Sequence, residues 1–177
     1  MRGAAVGRPG AGEYDDYYAS YVARVVGDDV VGTLESQLVA FHARLGEIDP
    51  SLAGHCYAPG KWTVAEVIGH LVDSERIFGT RALRIARGDR TPQPGFDQDA
   101  YALEGRFGER GLDDLSDELA SLRYANLALF RSLDADRWRR TGTANGVAVS
   151  VRALAFILAG HAAHHLEVLR ERYLPLA

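Results

Sequence analysis

"ILAGHAAHHLEVLRERYLPLA", residues 157–177, decides how this chain is read. Within it, "HAAHH" sets His161, His164 and His165, half of the six histidines, in an otherwise apolar run. Leu154, Ile157, Leu158, Leu166 and Leu169 recur at helical spacing, which predicts a helix from about Ser150 to Tyr173, with Pro175 beyond its end. Positions four apart on a helix differ by about 40° in direction, so His161 and His165 share one face, a turn apart. His164 points about 60° to the other side of His161. The leucines flank the line through residues 161 and 165 and turn those two rings inward.

Further helices emerge upstream. Val30, Leu34, Leu38, Phe41 and Leu45 give one apolar face over residues 28–47, ended by Asp49-Pro50. Thr63 and Glu66 of "TVAE" have the spacing of a capping box, which starts a helix running to about Arg87, where Gly88-Asp89 stops it. Leu115, Leu119, Leu122, Leu127 and Phe130 predict another over 113–133, and "ADRW" a further turn. "EYDDYYASYVARVV" is a weaker helix, rich in tyrosine and valine. Asn145-Gly146, between short β-prone pieces, signals a small hairpin. Residues 88–111, with two prolines and five glycines, read as a long irregular crossover. The expected fold is all-α: an up-and-down four-helix bundle over residues 13–177, preceded by a flexible arm at 1–12.

Composition narrows the function classes. Hydrophobic residues at 47% and charged residues at 25% are those of an ordinary globular domain. A net charge of −4 gives no reason to expect nucleic acid or an acidic membrane as partner. No stretch has the length and apolarity of a membrane span, and the start lacks the apolar core of a secretory signal. One cysteine, Cys56, excludes an internal disulfide and a cysteine-based structural zinc site, and a reducing cytoplasm is the natural setting. Cys56 itself reads as a small hydrophobe.

Inward imidazoles need partners. For an isolated H-x-x-x-H pair, hydrogen bonds to carboxylate or backbone are the plainer answer, and a metal the sharper one. His70 in "EVIGHLVDSER" shifts the balance, because it sits inside the helix begun at Thr63 beside Val67, Ile68 and Leu71. Three neutral imidazoles from two helices can hold a metal and leave coordination positions open. Asp73 and Ser74, about one turn after His70, are placed to orient its ring; Glu75 reads as solvent-exposed or paired with Arg76 and Arg81. Asp97, from the crossover, is a candidate for a loop closing over the metal. Trp62 and Trp138 read as core residues, His42 and His55 share no informative spacing, and the arginines of "RERYLP" could meet a ligand carboxylate or simply complement the helix dipole.

The blocks "YAPGKWTVAEVIGHLVDSERIFGTRALRIARGDRTPQPGFDQDAY" and "NGVAVSVRALAFILAGHAAHHLEVLRERYL" resemble the DinB/YfiT-like superfamily of four-helix metalloproteins, from about Tyr14 onward. The resemblance implies a divalent metal, nickel or zinc, on His70, His161 and His165, with His164 outside the ligand set. It further implies a stress-response or detoxification transferase, in which a metal-activated small thiol such as bacillithiol or mycothiol attacks an electrophilic small molecule. A homodimer is expected on the same ground. Two alternatives stay open: a metal-dependent hydrolase using bound water, and a stress-induced protein that binds metal or a small molecule without chemistry. No serine-hydrolase elbow, P-loop or dinucleotide fingerprint is present.

Overall fold

The computed structural model describes residues 6–174, with the side chain of His42 apart. Short helix α1 (Ala19–Arg24) follows a 3₁₀ turn, and four long helices, α2 (Val30–Gly46), α3 (Val64–Ala86), α5 (Leu112–Arg131) and α7 (Val151–Val168), make the body. Between them lie α4 (Gln98–Gly105), α6 (Ala135–Arg139) and a two-stranded antiparallel hairpin of β1 (Thr141–Ala144) and β2 (Val147–Ser150). No described helix is long and apolar enough to cross a membrane.

Local chemistry sets the helix starts. The Thr63 hydroxyl accepts from the Glu66 amide at 3.2 Å while a Glu66 carboxylate oxygen accepts from the Thr63 amide at 2.7 Å, completing the capping box. Ser150 caps α7 by accepting from the Ala153 amide. Asn145, at φ 52°, and Gly146, at φ 79°, make the hairpin turn that needs left-handed backbone. α7 ends in a wider π turn, Leu169–Tyr173, in place of the regular helix expected there.

The ring order of the bundle departs from chain order. α2 packs on α5, α5 on α3, α3 on α7, and α7 back on α2, so the consecutive helices α2 and α3 lie on a diagonal. α1 lies along α7. The apolar interior falls into two clusters: Leu34, Leu38, Phe78, Phe130 and Phe156 belong to one, and Phe41, Ile68, Leu71, Leu115 and Leu166 to the other. The seam between them carries the buried polar residues, with Ser74 and Glu75 on α3, Arg123 and Asn126 on α5, and His161 on α7.

The crossover is more ordered than its glycines and prolines predict. Asp97 accepts from the amides of Asp99 and Ala100 and thereby starts α4, a helix the periodicity did not reveal. Gln93 joins the hairpin through backbone bonds to Thr143 and Asn145. Of the expected N-terminal arm, residues 1–5 lie outside the described residues; further on, Arg8 donates to the carbonyls of Val22, Val25 and Gly27.

Candidate metal centre

His70 comes from the second turn of α3, and His161 and His165 from successive turns of α7. Because α3 and α7 are neighbours in the ring, the three rings meet: centroids are 4.9 Å apart for His70–His161 and His70–His165, and 4.5 Å for His161–His165. Nε2 of His70 lies 2.9 Å from Nε2 of His161. One potential ligand nitrogen from each of the three lies within 4.8 Å of the others. Nitrogens sharing an ion at 2.0–2.1 Å lie about 3 Å apart, so small ring movements bring this set to a common cation.

The environment suits neutral nitrogen donors. Burial pushes the His70 imidazole down to about 4 and that of His165 down to about 3, the neighbouring histidines adding to the second shift. Burial acts the same way on His161, well below the ordinary histidine value, reinforced by His165 and His70. All three are therefore unprotonated at neutral pH with lone pairs available. Nδ1 of His165 is buried without any hydrogen-bond partner among the described residues, and no carboxylate or carbonyl bonds to the trio. The donor set fits a divalent ion better than it fits a satisfied polar core, in which each ring would hold its own partner.

The surrounding residues sort differently from the expectations placed on them. Ser74 is 1% exposed and faces the cavity beside His70, but its hydroxyl has no hydrogen-bond partner among the described residues. Asp73 is half-buried, makes no hydrogen bond to a histidine, and has its carboxyl pushed up by burial. Asp97 is exposed and occupied in capping α4, while its neighbours Phe96 and Gln98 reach the cavity. Glu75 is neither exposed nor paired with Arg76 or Arg81: it is 2% exposed and bonded to Arg123 and Asn126, because α5 supplies a buried cation at that level. Cys56 is exposed in the loop before α3, where no apolar pocket takes it up. His164 is partly buried against Tyr21, at 5.5 Å between ring centroids. Trp138 stacks on Phe130 in the core, whereas Trp62 lies against the His70 ring at 4.8 Å. The π turn carries Tyr173 to this corner, where its hydroxyl donates to the Trp62 carbonyl at 2.8 Å.

A cavity of about 310 Å³ opens on His70 and His161. Its walls are Tyr17, Tyr18 and Tyr21 near the N-terminus, Phe78 and Arg81 of α3, Phe96 of the crossover and Asn145 of the hairpin turn. The Tyr21 ring meets His161 edge-on at 5.3 Å. Most of this wall escaped the sequence reading, since helices and loops distant in the chain converge there. Besides Ser74, Arg81 had a legible signal: eleven residues after His70, it returns to within about 20° of the same helical direction.

The family model of the DinB superfamily matches residues 33–169. This chain belongs to the DinB superfamily. Among solved structures, YfiT from Bacillus subtilis, described as "a probable metal-dependent hydrolase with an unusual four-helix bundle topology", superposes with a TM-score of 0.73 at 20% identity, over 94% of this chain and 97% of that one. That likeness is one of fold; in this DinB-superfamily bundle the consecutive long-helix pairs α2/α3 and α5/α7 both lie on diagonals. Comparison with curated proteins finds no match.

Proposed function

We propose that this DinB-superfamily protein is a metal-dependent enzyme acting on small molecules, and specifically a transferase for a low-molecular-weight thiol of the bacillithiol or mycothiol type. The observation that carries the reading is a trio of unprotonated, largely unpartnered imidazoles, two buried and one half-buried, with His70 and His161 opening on a cavity. His70, His161 and His165 would hold the ion, and three imidazoles suit nickel or zinc. A divalent ion there would supply Lewis acidity, lowering the pKa of a coordinated thiol or water. The chain's own residues do the rest. Tyr21 and Phe78 shield the ring edges from solvent, the Ser74 hydroxyl offers an uncommitted hydrogen bond to a ligand, and Trp62 and Tyr173 brace His70 from behind.

An exogenous thiol is favoured because no thiol of the described residues lines this cavity. Cys56 is not part of the cavity wall. Glu75, the one fully buried acid nearby, is committed to Arg123 and is not free to act as a general base. A hydrolase is the second reading, supported by the description of YfiT. In that case Asp15, which lines the cavity, is the carboxylate left to take a proton from water. In either reading the substrate is a small molecule, and neither nucleic acid nor a membrane is a partner; a cytoplasmic homodimer completes the proposal.

Elemental analysis of the purified protein, followed by calorimetric titration with bacillithiol, mycothiol and glutathione, tests it. Stoichiometric nickel or zinc, lost in His70→Ala, His161→Ala and His165→Ala, with heat on adding one thiol, is the expected result. Metal retained by those variants would sink the site. Metal-dependent turnover of ester or amide substrates without any thiol response would move the reaction to hydrolysis.

A further inference from the structure

The residues for metal and nucleophile account for one end of the cavity only. At the other end stands Arg81, which is 5% exposed yet has no carboxylate within 4.0 Å among the described residues. Burial is what sets it apart: the other arginines without an ion pair among the described residues are exposed, and the other buried one, Arg123, has Glu75. A guanidinium carries five N–H donors, and Nη2 of Arg81 gives one to the Pro94 carbonyl at 2.6 Å. It lies over the faces of Phe78 and Phe96, at 5.7 Å and 6.0 Å, and the Tyr18 hydroxyl is its polar neighbour. Desolvation weighs against the charge, and no carboxylate among the described residues compensates it.

His70, Ser74 and Arg81 lie along one stripe of α3, within about 40° of each other, with about 16 Å of helix rise between the first and last. Because helical side chains lean toward the N-terminus, Arg81 reaches back along the stripe toward Ser74 and the histidines. We propose that Arg81 is the specificity-determining anchor for a carboxylate of the ligand, whose reacting end lies at His70 and His161, so that the site takes an elongated small monocarboxylate. The cavity of about 310 Å³, walled by Tyr17, Tyr18, Phe78 and Phe96, accommodates an apolar or aromatic body between the two ends. A monoanion is favoured over a phosphate dianion for two reasons: Arg81 is the one cation in the wall, and Asp15 shares that wall. This deepens the proposed function by naming the substrate class, but the anchor is built from residues other than the histidines.

Phenylacetate, its neutral isostere phenylacetamide, and benzylphosphonate are titrated by calorimetry into the protein as purified and again after chelation. The acid is expected to bind about tenfold or more tightly than the amide in both preparations. Arg81→Gln, which keeps a donor for the Pro94 carbonyl, should erase that preference while leaving the amide's affinity within about twofold; Arg81→Lys should keep part of it. Equal affinity of acid and amide, no binding of either, or a preference that survives Arg81→Gln overturns the proposal. Tighter binding of benzylphosphonate than of phenylacetate overturns the monocarboxylate assignment. An acid preference lost on chelation but unchanged in Arg81→Gln would mean that the carboxylate sits on the metal. Because the comparison includes metal-free protein, failure of the metal site and failure of the anchor read out separately.

Discussion

Nε of Arg123 and Oε1 of Glu75 meet 2.6 Å apart at the centre of the bundle, with side-chain exposures of 0% and 2%. Arg123 also donates to Oε1 of Gln37, whose amide donates to the Ala159 carbonyl, and Asn126 donates to Glu75. One polar network thus joins all four long helices at the seam between the two apolar clusters, on the same level as His161.

Removing either charge strands the other. Arg123→Met or Glu75→Leu alone should each cost about 3–5 kcal/mol in urea unfolding, whereas the double variant should be more stable than the sum of the two losses predicts. Additive losses would show that the pair is not coupled.

Gly160 immediately precedes His161, and a Cβ there would sit 1.8 Å from the Tyr21 carbonyl oxygen, a backbone atom that cannot swing aside. Gly160→Ala must therefore push α1 away from α7, at a cost of roughly 1–3 kcal/mol. The displaced Tyr21 should also open the cavity and raise solvent accessibility at the histidines. Gly46→Ala, at the end of α2 with nothing within 4 Å, is the control and should be neutral or stabilising by up to about 1 kcal/mol. Thermal melts of both variants check the contrast.

The histidine shifts set a sign for acid stability. An imidazole depressed from 6.5 to about 4 at His70 and about 3 at His165 binds a proton in the unfolded chain before it does so in the folded one. Stability of the metal-free protein is then fully present above about pH 6.5 and lost as pH falls from there through about 4 and about 3. Over that range the two shifts correspond to on the order of 3 kcal/mol for His70 and 5 kcal/mol for His165. His70→Phe should flatten urea midpoints plotted between pH 6.5 and pH 4; an unchanged slope would remove His70 from the account.

Saturating the trio should stabilise the fold. Zinc or nickel at about 100 times its dissociation constant should add about 2.7 kcal/mol to the unfolding free energy of the chelated protein, and none of that gain should appear in His161→Ala.

The Ser74 hydroxyl is a buried donor without a partner among the described residues. Ser74→Ala should leave the ligand-free protein as stable as wild type or better by about 1 kcal/mol, since an unmade hydrogen bond is removed. A loss above about 1 kcal/mol in a urea titration would reveal a partner for the hydroxyl.

Helix starts and turns were readable because their causes are local. Thr63 with Glu66, and Asn145 with Gly146, act over a few residues, and the structure reproduces both. The shared direction of His161 and His165 follows from helical geometry alone. Asp97 carried the same kind of signal as Thr63, but the surrounding glycines and prolines masked the eight-residue helix it begins. Glu75 misled because its partner is 48 residues away; neighbouring Arg76 and Arg81 looked sufficient.

The sequence by itself determined which segments become helices, which faces are apolar, and that three histidines lie on faces turned inward, since spacing and capping are properties of a few consecutive residues. Only the tertiary structure decided that α3 and α7 are neighbours while α2 and α3 are not, that Tyr21 closes on Gly160, and that Arg81 stands alone across the cavity from the histidines. These depend on which faces meet. Apolar burial is non-directional and permits many pairings, so the choice falls to close packing and to the few buried polar groups that must find each other.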